Sequence, residues 1–228
     1  MIGITGVEGF IGSHLSEKFD SYVGFAGDLT SLDDVRAFVS ACDIIYHLAG
    51  KNREVSGDIL KNNIVSTGNI VLACMLECVT PDIYFISSNQ VMWNRDSEYA
   101  LAKKIEEAII CQTYGWHIER IPNVYGPGAR PNYNSVVANF CYNIATGKSL
   151  VINDPNVKRE FIYVEDLVNN LGNVEFNTCK IHRGEILSIG EIASFLTFGL
   201  GTHEKLAKTL DYYVKRYHST EVEYVSSS

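Results

Sequence analysis

The sequence has few basic clusters, no long apolar run and no metal-ligand spacing, and each absence excludes a class of protein. The 228-residue chain carries 19 Lys and Arg against 27 Asp and Glu, with a net charge of −8 and no Lys/Arg-rich run. We therefore expect no nucleic-acid partner. No apolar stretch approaches the roughly 20 residues that span a bilayer, so no membrane partner is expected either.

The six cysteines are scattered in apolar surroundings, and no Cys/His group has zinc spacing, so we expect buried free thiols and no metal. The N-terminus lacks a basic segment and reaches glycine at its third residue, which is not typical of a signal peptide. The hydrophobic content of 46% is typical of an ordinary soluble protein. These features predict a cytoplasmic location.

A glycine-rich turn follows the first apolar run, Met1 to Thr5, which predicts a buried strand. Gly6 permits a tight turn, Gly9 lets a phosphate approach the backbone, and Gly12 lets the following helix pack on the sheet. A plain glycine-bearing turn is the alternative. The pattern predicts a dinucleotide-binding turn that contains Gly6, Gly9, Phe10, Ile11 and Gly12.

Strands alternate with helices through the first half of the chain. The pattern predicts strands at 21–25, 43–50, 83–88 and 116–121, and helices from 31 and over 62–77 and 97–115. This order predicts an α/β fold with a Rossmann-type doubly wound parallel sheet. The looser second half predicts a strand at 161–164 and helices at 135–146, 165–170, 189–195 and 203–218. We expect a dinucleotide-binding domain over 1–123 and a small substrate-binding lobe over 124–228, interleaved with the sheet.

Two segments follow predicted strands at the edge where open α/β sheets hold ligands. After the second strand, Asp28 with Leu29 lies where an acid can bind the adenosine ribose, although Asp28 could equally lie near the adenine or end a turn. The third strand contains His47, which we interpret as a core histidine, and is followed by Lys51–Arg53. At its carboxyl end the strand finishes in small residues that let a cofactor approach, and this end comprises Leu48, Ala49 and Gly50.

Tyr99 and Lys103 are one turn apart on a predicted helix. The ammonium is expected to lower the pKa of the Tyr99 phenol, which suits proton transfer at a carbonyl carbon. An ordinary amphipathic helix with an exposed Tyr and Lys is the alternative. An adjacent stripe is predicted to face the core and comprises Leu101, Ile105, Ala108 and Ile109.

In their order and spacing, these motifs resemble the extended short-chain dehydrogenase/reductase family of nucleotide-sugar epimerases, dehydratases and reductases. The resemblance implies a nicotinamide dinucleotide, NAD or NADP, as cofactor. It rests on the glycine loop, His47-Leu48-Ala49, Asn63-Ile64-x-x-Thr67-x-Asn69, Ser87-Ser88, Tyr99-x-x-x-Lys103, Arg120-x-Pro-Asn123-Val-Tyr-Gly-Pro-Gly and Arg159-Glu-Phe-Ile-Tyr-Val-Glu-Asp166.

The resemblance also implies roles for particular residues. Tyr99 is similar to the family's proton donor, Lys103 to the residue that lowers its pKa and holds the nicotinamide ribose, and Ser88 to the carbonyl-polarising hydroxyl. Asn63 joins the cofactor-binding set. Substrate-binding candidates are Ser88, Asn123, Arg130, Asn134 and Arg159, of which Asn123 and Arg159 match positions that hold the nucleotide diphosphate, while Arg130 and Asn134 could equally be structural.

Two departures from the family pattern bear on the reaction. Asn89-Gln90 stands where 4,6-dehydratases carry an Asp-Glu pair, and amides cannot do that acid–base work, so dehydration is not expected. Asp28 stands where related reductases carry an Arg for NADP. A carboxylate there repels a 2′-phosphate, which favours NAD.

The segments 47–53 and 130–142 are similar to those of the family's reductases that act on the C4 ketone of UDP-linked 6-deoxy amino sugars in surface-polysaccharide precursor synthesis. This implies a UDP-sugar substrate. A 4-epimerase with tightly bound NAD and a non-catalytic nucleotide-binding subunit are the alternatives. Such reductases usually carry a cupin domain, for which this chain is too short, so a separate epimerase enzyme is expected as a partner. Many relatives form homodimers through the tyrosine-bearing helix and its neighbour, and we expect the same here.

Overall fold

The computed structural model describes residues 1–52, 59–94, 97–172, 175–199 and 201–217, so Arg53 lies outside the described residues. A 3₁₀ turn, Asn89–Met92, follows the fourth strand. In chain order the strands and helices are β1 (Ile2–Thr5), α1 (Phe10–Ser16), β2 (Val23–Gly24), α2 (Leu32–Ser40), β3 (Ile44–His47), α3 (Ile59–Glu77), β4 (Asp82–Ser88), α4 (Glu98–Ile110), β5 (Trp116–Ile121), β6 (Asn123–Tyr125), α5 (Val136–Ala145), β7 (Lys158–Tyr163), α6 (Val164–Asn170), β8 (Thr178–Ile181), β9 (Glu185–Ser188), α7 (Ile189–Phe198) and α8 (Glu204–Tyr217).

The chain forms two compact units. The first contains Met1–Pro122 and Val168–His182, and the second contains Asn123–Leu167 and Arg183–Ser228. Residues 168–182 belong to the first unit because β8 returns to its sheet and pairs in parallel with β5. The sequence did not predict β8, a short edge strand with alternating half-buried and exposed residues.

The first unit is built on a six-stranded parallel sheet of order β2-β1-β3-β4-β5-β8, which confirms the predicted Rossmann-type α/β fold. The strand order reverses between β1 and β3. The loops after these two strands therefore flank the switch point where open sheets of this kind bind ligands. These are the predicted cofactor loops.

One face of this sheet packs against α2, α3 and α4. Its apolar core includes Phe38, Ile45, Ile70, Phe85 and Ile118, all buried. By length and composition α3 could cross a membrane, but in the structure it packs between α2 and α4 and contributes to this core. On the opposite face the rings of Tyr46, Tyr84 and His117 are stacked across β3, β4 and β5, with centroid separations of 4.9 and 4.3 Å.

The buried face of α4 matches the predicted apolar stripe only in part, since Ile109 packs against the core. Leu101 is 47% exposed and Ala108 is also exposed. Besides apolar residues such as Ile110, the helix buries Lys103, Glu106 and Glu107. The stripe prediction was therefore wrong for Leu101 and Ala108. It also missed the charged groups, which have hydrogen-bonding and ionic partners inside the unit, so that burial does not leave them unpaired.

The second unit contains a three-stranded sheet of order β6-β7-β9 with α5, α7 and α8. β7 pairs in parallel with β6 and antiparallel with β9. The prediction found only the apolar end of β7, which begins with the polar residues Lys158-Arg159-Glu160, and it missed β6 and β9. All six cysteines are free, but three of them are exposed, so the expectation of buried thiols was wrong for Cys78, Cys111 and Cys179.

Candidate active site

The turn after β1 needs glycine at Gly6 and Gly12, and Gly9 is closely packed between them. Gly6 has a φ of +69°, and a Cβ there would lie 2.9 Å from the Ala49 nitrogen. Gly9 donates a backbone hydrogen bond to the Gly6 oxygen at 2.9 Å, and a Cβ on Gly12 would overlap that oxygen. Gly9 is also the N-cap of α1 and supplies no side chain to its first turn. This cradle of backbone amides fits the pyrophosphate of a dinucleotide.

The loop after β3 lies against this turn. The Leu48 amide donates to the Thr5 oxygen at 3.3 Å, and the Ala49 amide donates to the Thr5 hydroxyl at 3.2 Å. A Cβ on Gly50 would lie 3.3 Å from Lys103 Nζ, so this glycine allows the loop and the lysine to approach closely. The predicted residues Leu48, Ala49 and Gly50 are thus brought beside Gly6.

Two asparagines of α3 fix the loops at this edge. The Asn63 amide group accepts from the Lys51 nitrogen at 2.8 Å and donates to the Lys51 oxygen at 2.9 Å. Asn69 donates to the Leu29 oxygen at 2.9 Å, and Leu29 also packs on the core. In this structure Asn63 and Asn69 therefore position the loops. Contact of Asn63 and Leu29 with a cofactor stays a prediction.

The Asp28 carboxylate closes its own turn. Its Oδ1 atom accepts from the Thr30 backbone nitrogen and from the Thr30 hydroxyl, both at 2.8 Å. These hydrogen bonds, the backbone one first, lower the pKa of the Asp28 carboxyl, with a smaller contribution from the charge of Lys51. The side chain is exposed at the edge that carries the glycine turn. Its role toward adenosine stays a prediction.

The three candidate catalytic side chains all belong to the first unit. Ser88 ends β4, is 8% exposed, and accepts from the Gln90 nitrogen at 3.2 Å. Ser97 is the N-cap of α4, which places Tyr99 in the first turn of the helix. The Tyr99 side chain is half-buried. Lys103 follows one turn later, with its ammonium 4.4 Å from the centroid of the Phe85 ring.

Sequence reasoning missed two carboxylates that follow Lys103 at helical spacing. Glu107 accepts from the Ser87 hydroxyl at 2.6 Å and from Arg120 Nε and Nη2 at 2.9 and 2.6 Å. Glu106 accepts from the Thr67 hydroxyl at 2.8 Å and lies 3.3 Å from Lys103 Nζ. Acids three and four residues after a lysine share its side of a helix, and this spacing was the available signal.

His47 is a core histidine, as interpreted from the sequence. Its Nδ1 is 2.7 Å from the Thr5 hydroxyl and its Nε2 is 3.0 Å from the Thr67 hydroxyl. Complete burial, and to a lesser extent the charge of Lys103, lowers the pKa of His47 to about 3. The imidazole is therefore neutral near pH 7.

The remaining substrate-binding candidates lie in the second unit. Asn123 begins β6 and donates to the Glu160 oxygen at 3.0 Å, which links it to β7. Arg159 is exposed on β7. Arg130 lies 5.7 Å from the centroid of the Tyr133 ring, and Asn134 is exposed just before the N-cap of α5. Their contact with a substrate stays a prediction.

Comparison with known proteins supports the assignment of the fold. A curated relative, the UDP-2-acetamido-2,6-beta-L-arabino-hexul-4-ose reductase of Pseudomonas aeruginosa, is 32% identical over 215 residues, which cover 85% of this chain and 56% of the relative. The match thus spans little more than half of that relative's length.

Two solved structures share the fold. The capsular polysaccharide assembling protein CapF of Staphylococcus aureus is 24% identical, with a TM-score of 0.70 over 93% of this chain and 65% of that chain. The UDP-glucose 4-epimerase of Thermus thermophilus, in complex with NAD, is 19% identical, with a TM-score of 0.78 over 93% of this chain and 98% of that chain.

A family model matches residues 2–190, which include the glycine turn, the tyrosine–lysine helix and the strands around them. The chain therefore belongs to the NAD dependent epimerase/dehydratase family, whose cofactor agrees with the predicted nicotinamide dinucleotide.

Proposed function

We propose that this protein is an NAD(P)-dependent nucleotide-sugar oxidoreductase that reduces the C4 ketone of a UDP-linked 6-deoxy amino sugar. The main support is the pairing of a dinucleotide cradle with Ser88, Tyr99 and Lys103 in one compact unit. The choice of sugar is supported by the 32% identity to the Pseudomonas aeruginosa reductase.

In this proposal each side chain has a distinct task. The dinucleotide supplies a hydride to C4 when it is bound. Ser88 donates a hydrogen bond to the C4 oxygen and stabilises the negative charge that develops there. Tyr99 gives its phenolic proton to that oxygen, and the ammonium of Lys103 favours the phenolate that remains.

Apart from Ser88, the proposed substrate-binding residues belong to the second unit. Arg159 has a guanidinium suited to a diphosphate because its donors match phosphate oxygens in pairs. Asn123 begins the paired strand β6 and lies opposite Phe161, two residues after Arg159 on β7. Arg130 and Asn134 precede α5. Asp28 is the residue that we expect to favour NAD over NADP.

The location and partners are also part of the proposal. We place the enzyme in the cytoplasm, with any C3 or C5 epimerisation performed by a separate enzyme. We propose a homodimer formed through α3 and α4, since these helices leave large apolar side chains exposed. Those side chains are Leu72, Met75, Leu76 and Leu101, between 43% and 58% exposed.

The test is incubation with a UDP-linked 4-keto-6-deoxy amino sugar and either NADH or NADPH. The proposal expects one reduced cofactor to be oxidised for each ketone reduced. A 4-epimerase would instead interconvert C4 epimers with no net change in cofactor. A non-catalytic subunit would do neither.

A further inference from the structure

Lys103 and Glu106 form an ion pair inside the first unit. Nζ lies 3.3 Å from Oε2 and 3.5 Å from Oε1, and the two side chains are 4% and 1% exposed. Among the described residues, Glu106 is the one carboxylate within ion-pairing distance of Lys103. An ammonium in such a place loses most of its hydration, so its charge depends strongly on this partner.

The carboxylate is held by a directional chain of hydrogen bonds. The Thr67 hydroxyl donates its one proton to Glu106 Oε1. Its contact with His47 Nε2 must therefore be one in which the imidazole N–H donates and the hydroxyl oxygen accepts. This fixes the tautomer of His47, whose Nδ1 accepts from the Thr5 hydroxyl, while Thr5 accepts from the Ala49 amide. The chain links the residue that precedes the glycine turn to the counter-ion of Lys103.

The other groups around Lys103 leave Glu106 as its charge partner. His47 on β3 is neutral near pH 7, Phe85 on β4 offers a ring face, and α3 offers the Asn63 amide and the Thr67 hydroxyl. Tyr99 is one turn earlier on the same helix. No donor among the described residues makes a hydrogen bond of good geometry to Glu106 Oε2, so that oxygen is satisfied mainly by the lysine charge.

We propose that Glu106 is a positioning residue that keeps Lys103 protonated in its buried position beside Tyr99. Its effect on turnover rests on the proposed function, because it acts through Lys103. Its effect on the charge of Lys103 does not depend on the substrate.

The direct test follows the titration of Lys103 by NMR of lysine labelled at the ε carbon, with the resonance identified by its absence in Lys103→Arg. In Glu106→Gln, the midpoint of this titration is expected to fall by at least about one pH unit relative to the wild type. Glu98→Gln is the matched control, since it removes an exposed acid from the same helix and should leave the midpoint unchanged.

Glu106→Asp keeps the negative charge but has a side chain shorter by one methylene, so the carboxylate lies farther from Lys103 Nζ. We therefore expect a smaller fall in the midpoint than in Glu106→Gln. This variant also serves if the glutamine variant does not fold. An unchanged midpoint in every variant of Glu106 that folds overturns the inference.

With the ketosugar as substrate, the alkaline limb of the kcat profile should move to lower pH in Glu106→Gln, since the charged form of Lys103 is lost earlier. If the NMR midpoint falls while even the wild type reduces no ketosugar, the proposed function fails and the role of Glu106 stands. If the wild type reduces the sugar and the midpoint does not move, the role of Glu106 fails alone.

Discussion

Arg120 on β5 donates two parallel hydrogen bonds to Glu107 on α4, from Nε at 2.9 Å and from Nη2 at 2.6 Å. This contact connects the tyrosine-bearing helix to the sheet. The Ser87 hydroxyl adds a third hydrogen bond at 2.6 Å. The hydrogen bonds to Glu107 raise the pKa of Arg120, which keeps the pair ionised. The position of α4 therefore depends on a buried polar contact as well as on apolar packing.

Glu107→Ala should lower the free energy of unfolding by about 3 kcal/mol, because it leaves Arg120 and Ser87 without their partner in a largely buried place. Denaturant unfolding measures this loss. The matched control is Glu77→Ala, which breaks the surface pair with Arg36 and should change the unfolding free energy much less. Equal losses in the two variants would contradict the account.

Gly12→Ala should abolish or strongly weaken dinucleotide binding, because the new methyl group would overlap the Gly6 oxygen. The Kd for NAD or NADP should rise at least about tenfold, which is 1.4 kcal/mol of misfit. Gly68→Ala on α3 is the control, since a Cβ there meets nothing within 4 Å. That variant should bind normally and gain about 0.5–1 kcal/mol of stability. Equal affinities for the dinucleotide in both variants would argue against the proposed cradle.

The pH dependence of stability should contain a contribution from His47. The unfolded chain takes up a proton on this histidine below about pH 6.5. The folded protein does so only near pH 3, because burial lowers the pKa of His47 to about 3. His47 therefore makes its full contribution to the free energy of unfolding above about pH 6.5. Between about pH 6.5 and pH 3 this contribution falls by about 1.4 kcal/mol for each pH unit.

Denaturant titrations of the wild type and of His47→Gln over this range should therefore converge as the pH falls. The Gln variant keeps groups that can hydrogen-bond to Thr5 and Thr67 but cannot titrate. If the unfolding free energies of the two proteins instead changed in parallel below about pH 6.5, His47 would be protonated in the folded state as it is in the unfolded chain.

Tyr99→Phe should reduce kcat by about 10²- to 10⁴-fold, since it removes the proposed proton donor while keeping the ring. Dinucleotide affinity should change little, because Lys103 and the glycine turn remain. Stopped-flow oxidation of NADH and equilibrium binding separate the two effects. A variant with full activity would exclude Tyr99 from the chemistry.

The sequence predicted what depends on local pattern. The alternation of strands and helices, the glycine turn and the position of His47 followed from short-range periodicity, and the structure agrees with each. The charged residues on the buried face of α4 could not be found in this way, because the partners of Glu107 come from β4 and β5 and the hydroxyl partner of Glu106 comes from α3. Apolar periodicity alone therefore selected Leu101, which is exposed.

The edges of the sheets were also beyond local pattern. β8 has half-buried and exposed residues and acquires its strand geometry by pairing with β5, whose paired residues lie 61 positions earlier in the chain. Asp28 shows the same limit in a loop. Its exposure and its turn hydrogen bonds come from the fold, whereas its suitability for an adenosine ribose was inferred from position alone.

We propose above all that this chain reduces a sugar ketone with a nicotinamide dinucleotide. The most direct measurement follows absorbance of the reduced cofactor during incubation with a UDP-linked 4-keto-6-deoxy amino sugar, together with mass analysis of the sugar. We expect stoichiometric oxidation of the cofactor, faster with NADH than with NADPH, and a product heavier by two hydrogens. No oxidation with either cofactor, or a change of sugar without net oxidation, would contradict it.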